Sequence, residues 1–439
     1  MAEPLDLAIR EALWYERGVD GIVVDVVIER GVVTALGPGA ARGATGPALD
    51  AGGAVVSPGF FDLHCHLRVP GQEAKETIAT GTAAAAAGGF TRVLAMANTS
   101  PPLDSAEALG AALRAAHDAP VRVLQAAAVT VGLEGRELAP MDLLAQLGAA
   151  AFSDDGKHLY DAELGERALS RAAALGRPVL VHAEDAATCA GGQADPSVAG
   201  ALGVAPWPCA AEVDAVVAML EACRRGGGHL HVQHVSCAET VELVRAARAE
   251  GLHVTAEATP HHLALTSGVA LEPGVDAAMA KVNPPLRAER DRAAVVAGLR
   301  DGTIDAIATD HAPHEAATKQ AGFTAASFGI SGFETALPLV LGLVDAGELT
   351  LGRAVEALTE APWRCLRQQG LAGSRPGLRR GEPADLVLFD PRAEWTVDPE
   401  GFASRGHNTP LRGRRVRGRT VLTVSRGSLV HSAAEMVFG

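Results

Sequence analysis

Eight apolar runs of strand length recur along this chain, near residues 59–66, 91–98, 121–129, 150–155, 178–184, 229–235, 253–260 and 304–310. Between them lie Ala/Leu/Glu/Arg-rich stretches of helical length, among them 164–175, 212–225 and 239–250. Strands that alternate with helices pair in parallel, because a crossover helix returns the chain to the same edge. Eight such units fit a closed (β/α)8, TIM-like barrel better than an open doubly wound sheet. A barrel of this kind places its chemistry at the C-terminal ends of the strands, so those ends are where reactive side chains matter.

The flanks read differently. Residues from about 20 to 56 form short β runs, and 384–390, 421–424 and 428–431 resemble them. Both termini are expected to pair into one small β-sandwich domain. The organisation expected is residues 1–57 and 371–439 in the β-sandwich and 58–370 in the barrel. With 48% hydrophobic and 21% charged residues, the chain can bury a sizeable core. A net charge of −14 argues against a nucleic-acid surface and leaves room for an anionic small substrate held by a local cation. The six scattered cysteines form no C-x-x-C pair and read as reduced thiols of a cytoplasmic protein. No signal peptide and no run long enough to span a membrane is read from the sequence.

The strand ends carry a consistent chemistry. The first closes in His64-Cys65-His66-Leu67-Arg68. Alternation puts His64 and His66 on one side, about 6–7 Å apart, with Arg68 one step beyond in the same parity. Two imidazoles at that spacing can close on one metal ion, or can be two satisfied histidines. The fourth ends in Asp154-Asp155, of which at most one can face inward; a polar turn or helix cap would also use them. The fifth ends in His182. The sixth holds His231 and His234, which differ by an odd number and so face opposite ways, and His234 lies nearer the C-terminal end. The eighth ends in Asp310, which burial would penalise unless paired. Imidazoles with hard carboxylates suit Zn²⁺, and a bridging carboxylate can hold two ions.

These motifs resemble the amidohydrolase superfamily and, within it, dihydroorotases of the bacterial class I type. The resemblance rests on Pro58-Gly59-Phe60-Phe61-Asp62-Leu63-His64-Cys65-His66-Leu67-Arg68, Asn98-Thr99, Ser153-Asp154-Asp155-Gly156, His182-Ala183-Glu184-Asp185, His234-Val235-Ser236, Thr259-Pro260-His261-His262, Asn283-Pro284-Pro285-Leu286-Arg287, Asp310-His311-Ala312-Pro313-His314 and Phe328-Gly329-Ile330, in that order. It implies that His64, His66 and Asp310 hold one zinc and that His182 and His234 hold a second. Asp155 stands where many relatives carry a carboxylated lysine, and Lys157 lies outside the strand. Asp310 is the implied general base and acid. Arg68 and Asn98 would grip the substrate carboxylate, Asn283 and His314 would contact the ring or its carboxylate, and Phe328 and Gly329 would bind substrate from an active-site loop, 314–329, implied to order on ligand binding. Val69 and Ala183 depart from residues usual in the family.

The activity implied is the reversible hydrolysis of dihydroorotate to N-carbamoyl-L-aspartate, with one or two zinc ions, in pyrimidine biosynthesis. A homodimer and an association with aspartate transcarbamoylase follow from the same resemblance. The nearest rivals are a hydantoinase or allantoinase, and a catalytically silent scaffold. Arg68 and the missing strand-four lysine speak against the first, and the retained histidines against the second.

Overall fold

Period-two burial sorts the chain into two sheets in a computed structural model that describes residues 3–157, 162–366 and 375–433. The terminal sheet contains β1 (Leu7–Glu16), β2 (Val19–Glu29), β3 (Val32–Gly37), β4 (Ala48–Asp50) and β5 (Val55–Pro58) from the N-terminal part. The barrel strands are β6 (Phe60–Cys65), β7 (Phe90–Ala95), β8 (Arg122–Ala127), β9 (Ala151–Ser153), β10 (Val179–Val181), β11 (Leu230–Val232), β12 (Val254–Ala258) and β13 (Ala306–Ile307). The chain then returns to the terminal sheet with β14 (Leu386–Thr396), β15 (Arg415–Ser425) and β16 (Ser428–Ser432).

The terminal sheet runs β16-β15-β14-β5-β1-β2-β3, with β4 also on β1. Most neighbours are antiparallel, and β14 pairing with β5 joins the two ends of the chain. One apolar cluster draws Leu7, Ile9, Val24, Val26 and Val33 from one side of this order and Leu386, Leu388, Leu422 and Val424 from the other. That is the core of a sheet folded over on itself, as a small sandwich requires. Alternation then does a second job in β14: Val387 and Phe389 face the other way, into the core shared with the barrel. The strand-like runs read from the sequence start near residue 20, whereas β1 begins at Leu7. Its Ala, Arg and Glu content favours helix, and antiparallel pairing with β2 overrides that preference. The boundary expected after residue 57 falls inside the last step of β5; the one expected after residue 370 lies outside the described residues.

The barrel strands follow each other in order, β6 to β13, every pair parallel. Closure comes just past β13, where His311 bridges Cys65 and the His66 amide donates to the His311 carbonyl at 2.9 Å. Each strand is followed by a helix: Ile78–Ala87, Ala106–Ala115, Met141–Leu147, Ala162–Ala174, Ala210–Gly226, Ala238–Ala249, Glu289–Asp301 and Phe333–Asp345. Side chains facing these helices, such as Val93, Val179, Val181, Leu230, Val232 and Ile307, join one large outer core. Inward residues Phe61, Leu63, Leu94, Met96, Leu180 and Ala306 fill the interior, against the helix Glu360–Leu366. No helix among the described residues is long and apolar enough to cross a membrane.

Candidate active site

Every sequence-predicted metal ligand stands at or just beyond the C-terminal end of a barrel strand, and the fold gathers all six. Asp155 is central. Its Oδ1 lies 3.2 Å from His64 Nε2, 3.7 Å from His182 Nδ1 and 4.0 Å from His234 Nε2, while its Oδ2 lies 3.5 Å from His66 Nε2. Asp310 Oδ1 approaches His66 Nε2 at 3.1 Å and His64 Nε2 at 3.6 Å. His64 and His66 have ring centroids 5.4 Å apart, somewhat closer than straight alternation predicts, because β6 is irregular between Asp62 and Cys65. The neighbouring Asp154 leaves the site: it accepts the amides of Val129 and Thr130 at 2.7 and 3.1 Å and fixes the loop after β8.

His234 reaches the centre despite its odd spacing from His231. Along β11 Leu230 and Val232 face outward, so His231 and Gln233 face inward. His234 then takes a φ of 33°, in the left-handed region, and turns in as well. Arg68 (φ 61°) and Asp310 (φ 44°) share that conformation. Non-glycine residues held there are strained by about 1–3 kcal/mol each, and such strain collects at functional sites.

Three rings are oriented by carboxylate or amide partners that occupy one nitrogen and leave the other aimed inward. With ring protons assigned from these partners, His64 Nδ1 donates to Glu257 Oε1 at 2.9 Å, His66 Nδ1 to Asn98 Oδ1 at 3.0 Å, and His182 Nε2 to Glu184 Oε2 at 3.0 Å. The inward nitrogen of His64 is buried without a hydrogen-bond partner and faces two carboxylates. A ring nitrogen facing two anions calls for positive charge between them, which a proton or a metal ion supplies. Electrostatics agree. Burial opposes charge throughout, yet Asp155 and Asp310 hold His64 well above the usual imidazole range, and the histidines hold both carboxylates well below theirs. His234, where burial and the neighbouring rings act together, falls to about 3 and stays neutral. His64, His66 and Asp310 form one set of ligand atoms mutually within 4.8 Å, and His64, Asp155 and His234 another. The donor set fits a metal centre, with four imidazoles and two carboxylates in a buried cup.

The cup opens into a cleft of about 160 Å³ lined by His66, Arg68, Asn98, Asp155, His182, His234, Asn283, Asp310, His314, Phe328 and Gly329, so all the predicted substrate residues reach it. Arg68 is buried, its Nε has no partner, and burial lowers its pKa to about 10, which still leaves it charged at neutral pH. His314 donates from Nε2 to the Phe328 carbonyl at 2.7 Å, and its Nδ1 is bare. Burial, then Arg68, pushes His314 down to about 3, so that Nδ1 is an acceptor. Asn98 has a further task beyond the one predicted: its amide donates to Asp155 Oδ2 at 2.8 Å while its oxygen holds His66. Asn283 donates to Glu184 Oε2 at 2.9 Å. The 314–329 loop is already fastened at its end, where Asn408 donates to the Ala312 and Gly329 carbonyls at 3.0 and 2.9 Å. Gly329 has φ 142°, and a Cβ there would meet Ala312 at 2.7 Å.

Sequence reasoning missed Glu257, Glu184 and Asn408. Glu257 had a signal, since a carboxylate inside the apolar run Val254-Thr255-Ala256-Glu257-Ala258 has to face a partner within the barrel. Glu184 shares the parity of His182. Asn408 comes from the β14–β15 connection, and nothing local marks it.

Comparison with known proteins agrees in sequence and in fold. A dihydro-orotase-like family model matches residues 53–240 and an amidohydrolase family model residues 204–430. The dihydroorotase of Anaeromyxobacter sp. (strain K) is 46% identical over 416 residues, covering 94% of both chains. That of Bacillus caldolyticus is 43% identical over 427 residues, covering 95% of this chain and 98% of its own. Among solved structures, the L-hydantoinase (dihydropyrimidinase) of Arthrobacter aurescens superposes with a TM-score of 0.86 at 26% identity, covering 100% of this chain and 98% of its own.

Proposed function

Given that the chain belongs to the dihydroorotase family of amidohydrolases, we propose that this hydrolase opens (S)-dihydroorotate reversibly to N-carbamoyl-L-aspartate, with zinc held by His64, His66, Asp155, His182, His234 and Asp310. The observation that carries the reading is Arg68: a buried guanidinium with an unpartnered Nε, lining the same cleft as the carboxylate–histidine cup. A planar, permanently charged fork suits a carboxylate. A neutral cyclic amide would leave it buried and unpaired.

Bound in the cup, zinc supplies Lewis-acid polarisation of the scissile carbonyl and makes a water more acidic. The chain's own groups do the rest. Arg68 takes the substrate carboxylate and so fixes the ring's orientation. His314 Nδ1, an acceptor, suits a ring N–H. Asp310, ionised and at the rim of the cup, accepts a proton from the attacking water and delivers it to the ring nitrogen as the C–N bond breaks. In the closing direction Asp310 takes that proton back, as microscopic reversibility requires. The place of this reaction in pyrimidine biosynthesis, the homodimer and the association with aspartate transcarbamoylase belong to the same proposal.

The solved L-hydantoinase (dihydropyrimidinase) relative, 26% identical, favours a second reading, a neutral cyclic amide as substrate. One experiment separates the two. Arg68→Met should cut kcat/KM for dihydroorotate by about 100-fold or more, the loss expected of a charged hydrogen-bonded anchor, and should change hydrolysis of dihydrouracil by less than about threefold. Equal damage to both substrates removes Arg68 as the carboxylate anchor. A wild-type enzyme that prefers dihydrouracil removes the dihydroorotase reading.

A further inference from the structure

Lys319 is a buried cation whose acceptors are all backbone carbonyls. Its side chain is fully enclosed, and Nζ donates to the carbonyls of Lys281 at 3.2 Å, Ser327 at 2.9 Å and Gly329 at 3.1 Å. Three N–H groups meet three acceptors, so the ammonium is saturated. Two of those carbonyls flank Phe328. The third belongs to Lys281, two residues before Asn283 in the chain. Phe328, Gly329 and Asn283 all line the cleft. Around the same point the Gly329 amide donates to the Lys281 carbonyl at 2.9 Å, and Lys281 Nζ stands 4.4 Å from the Phe328 ring centre and donates to the carbonyls of Phe323 and Thr324 at 2.8 and 3.0 Å.

Burying an ammonium with no carboxylate in hydrogen-bond contact is expensive, and an apolar side chain would fill the same volume without that penalty. What the ammonium adds to the direct Gly329–Lys281 backbone hydrogen bond is a three-way tie that brings in the Ser327 carbonyl as well. We infer that Lys319 is a positioning residue, its ammonium drawing Ser327 and Gly329 onto Lys281 and so setting the Phe328–Gly329 wall of the cleft in place before a cyclic substrate binds. The substrate part of this rests on the dihydroorotase reading; the wall itself rests on the hydrogen bonds alone.

The tie should depend on pH. The charged groups that act on Lys319 are Lys281, which disfavours its charge, and Asp276, which favours it; His314 lies within the same field. Burial and then Lys281 bring the Lys319 pKa down to about 7. A neutral amine has only two N–H groups for three carbonyls. The wall should therefore be tied below pH 7 and loosen above it.

Hydrogen–deuterium exchange of the 322–331 peptide, corrected for intrinsic pH dependence, reads the wall directly. Wild type should exchange about tenfold faster at pH 8.5 than at pH 6, and Lys319→Met should exchange fast at both, with barrel peptides such as 229–235 unchanged. In dihydroorotate kinetics at pH 6.5 the variant should raise KM about tenfold and keep kcat within about threefold. Identical exchange in the two proteins overturns the inference, as does a fall in kcat at unchanged KM. If Lys319→Met does not fold, the wild-type pH series decides alone, and a flat series sinks it. A wild type that leaves dihydroorotate untouched defeats the proposed substrate, and the exchange arm still decides whether Lys319 sets the wall.

Discussion

His231 lies in β11 and His234 two residues beyond its end, both buried and both pointing into the barrel, yet they belong to different kinds of site. His231 has protein partners on both nitrogens: Nδ1 lies 2.7 Å from Thr255 Oγ1, and Nε2 lies 3.0 Å from Glu257 Oε2. His234 meets another imidazole instead, with its Nε2 2.9 Å from His182 Nδ1 and 4.0 Å from Asp155. Two ring nitrogens and a carboxylate converging on one point is an arrangement a cation completes. What distinguishes a ligand histidine from a core histidine is therefore not burial or strand position but whether the protein has already satisfied the ring.

That contrast is open to attack by substitution. His234→Ala should lose at least half of the bound metal and about a thousandfold or more in kcat/KM. His231→Gln should keep both metal content and, within about tenfold, activity, while losing about 1–3 kcal/mol of stability through one impaired buried hydrogen bond. Metal analysis, steady-state rates and thermal melting on the same preparations check all of this. If His231→Gln empties the site as completely as His234→Ala, the two rings are not different in kind.

Glu257 joins the two sets, and so sharpens the comparison at an intermediate scale. It accepts from His64 at one oxygen and from His231 at the other. Although burial opposes its charge, the two rings hold its pKa down to about 2, so it is ionised at working pH. An ionised acceptor on the far nitrogen makes His64 a better donor to a metal and fixes its tautomer. Glu257→Gln should weaken metal binding by about 10–100-fold, measured by chelator competition, without unfolding the protein. Unchanged affinity would mean that Glu257 serves only the core.

How much of this was legible follows the same division. The barrel was readable because its signal is repeated: eight apolar runs, each followed by a helix, overdetermine the topology. The six ligands were readable because strand ends carry chemistry in such a fold, so position weighted each ambiguous His or Asp. The groups that hold the ligands were much less visible. Glu257 and Asn98 act on side chains far away in sequence, and their pairing depends on register across strands, whereas Glu184 lies only two residues from the His182 it holds. Asn408 is the extreme case, since its four side-chain hydrogen bonds join a terminal-sheet connection to the cleft. The turn of His234 was also hidden, because alternation predicts direction only while the strand lasts, and its φ of 33° comes after β11 has ended.

The smallest effect tests the far end of the same row. His229 lies just before β11, with its Nε2 2.7 Å from Thr255 Oγ1 and its ring stacked on His253 at 3.9 Å. A hydrogen-bonded row thus runs from His229 through Thr255, His231 and Glu257 to His64. Burial first, and then His253, His231 and Arg248, push the His229 pKa down to about 2. The unfolded chain titrates this side chain near pH 6.5, so between pH 2 and 6.5 it binds a proton that the folded protein refuses. Stability from this residue is complete above pH 6.5 and falls with decreasing pH by up to about 1.4 kcal/mol per unit. Glutamine can keep the hydrogen bond to Thr255 and does not titrate. In His229→Gln, urea midpoints should therefore fall less steeply than wild type between pH 6.5 and 4.5, with metal content at pH 7.5 unchanged. Parallel pH profiles would show that His229 is protonated in the folded state, and the row would then end in a charge rather than in a satisfied, neutral ring.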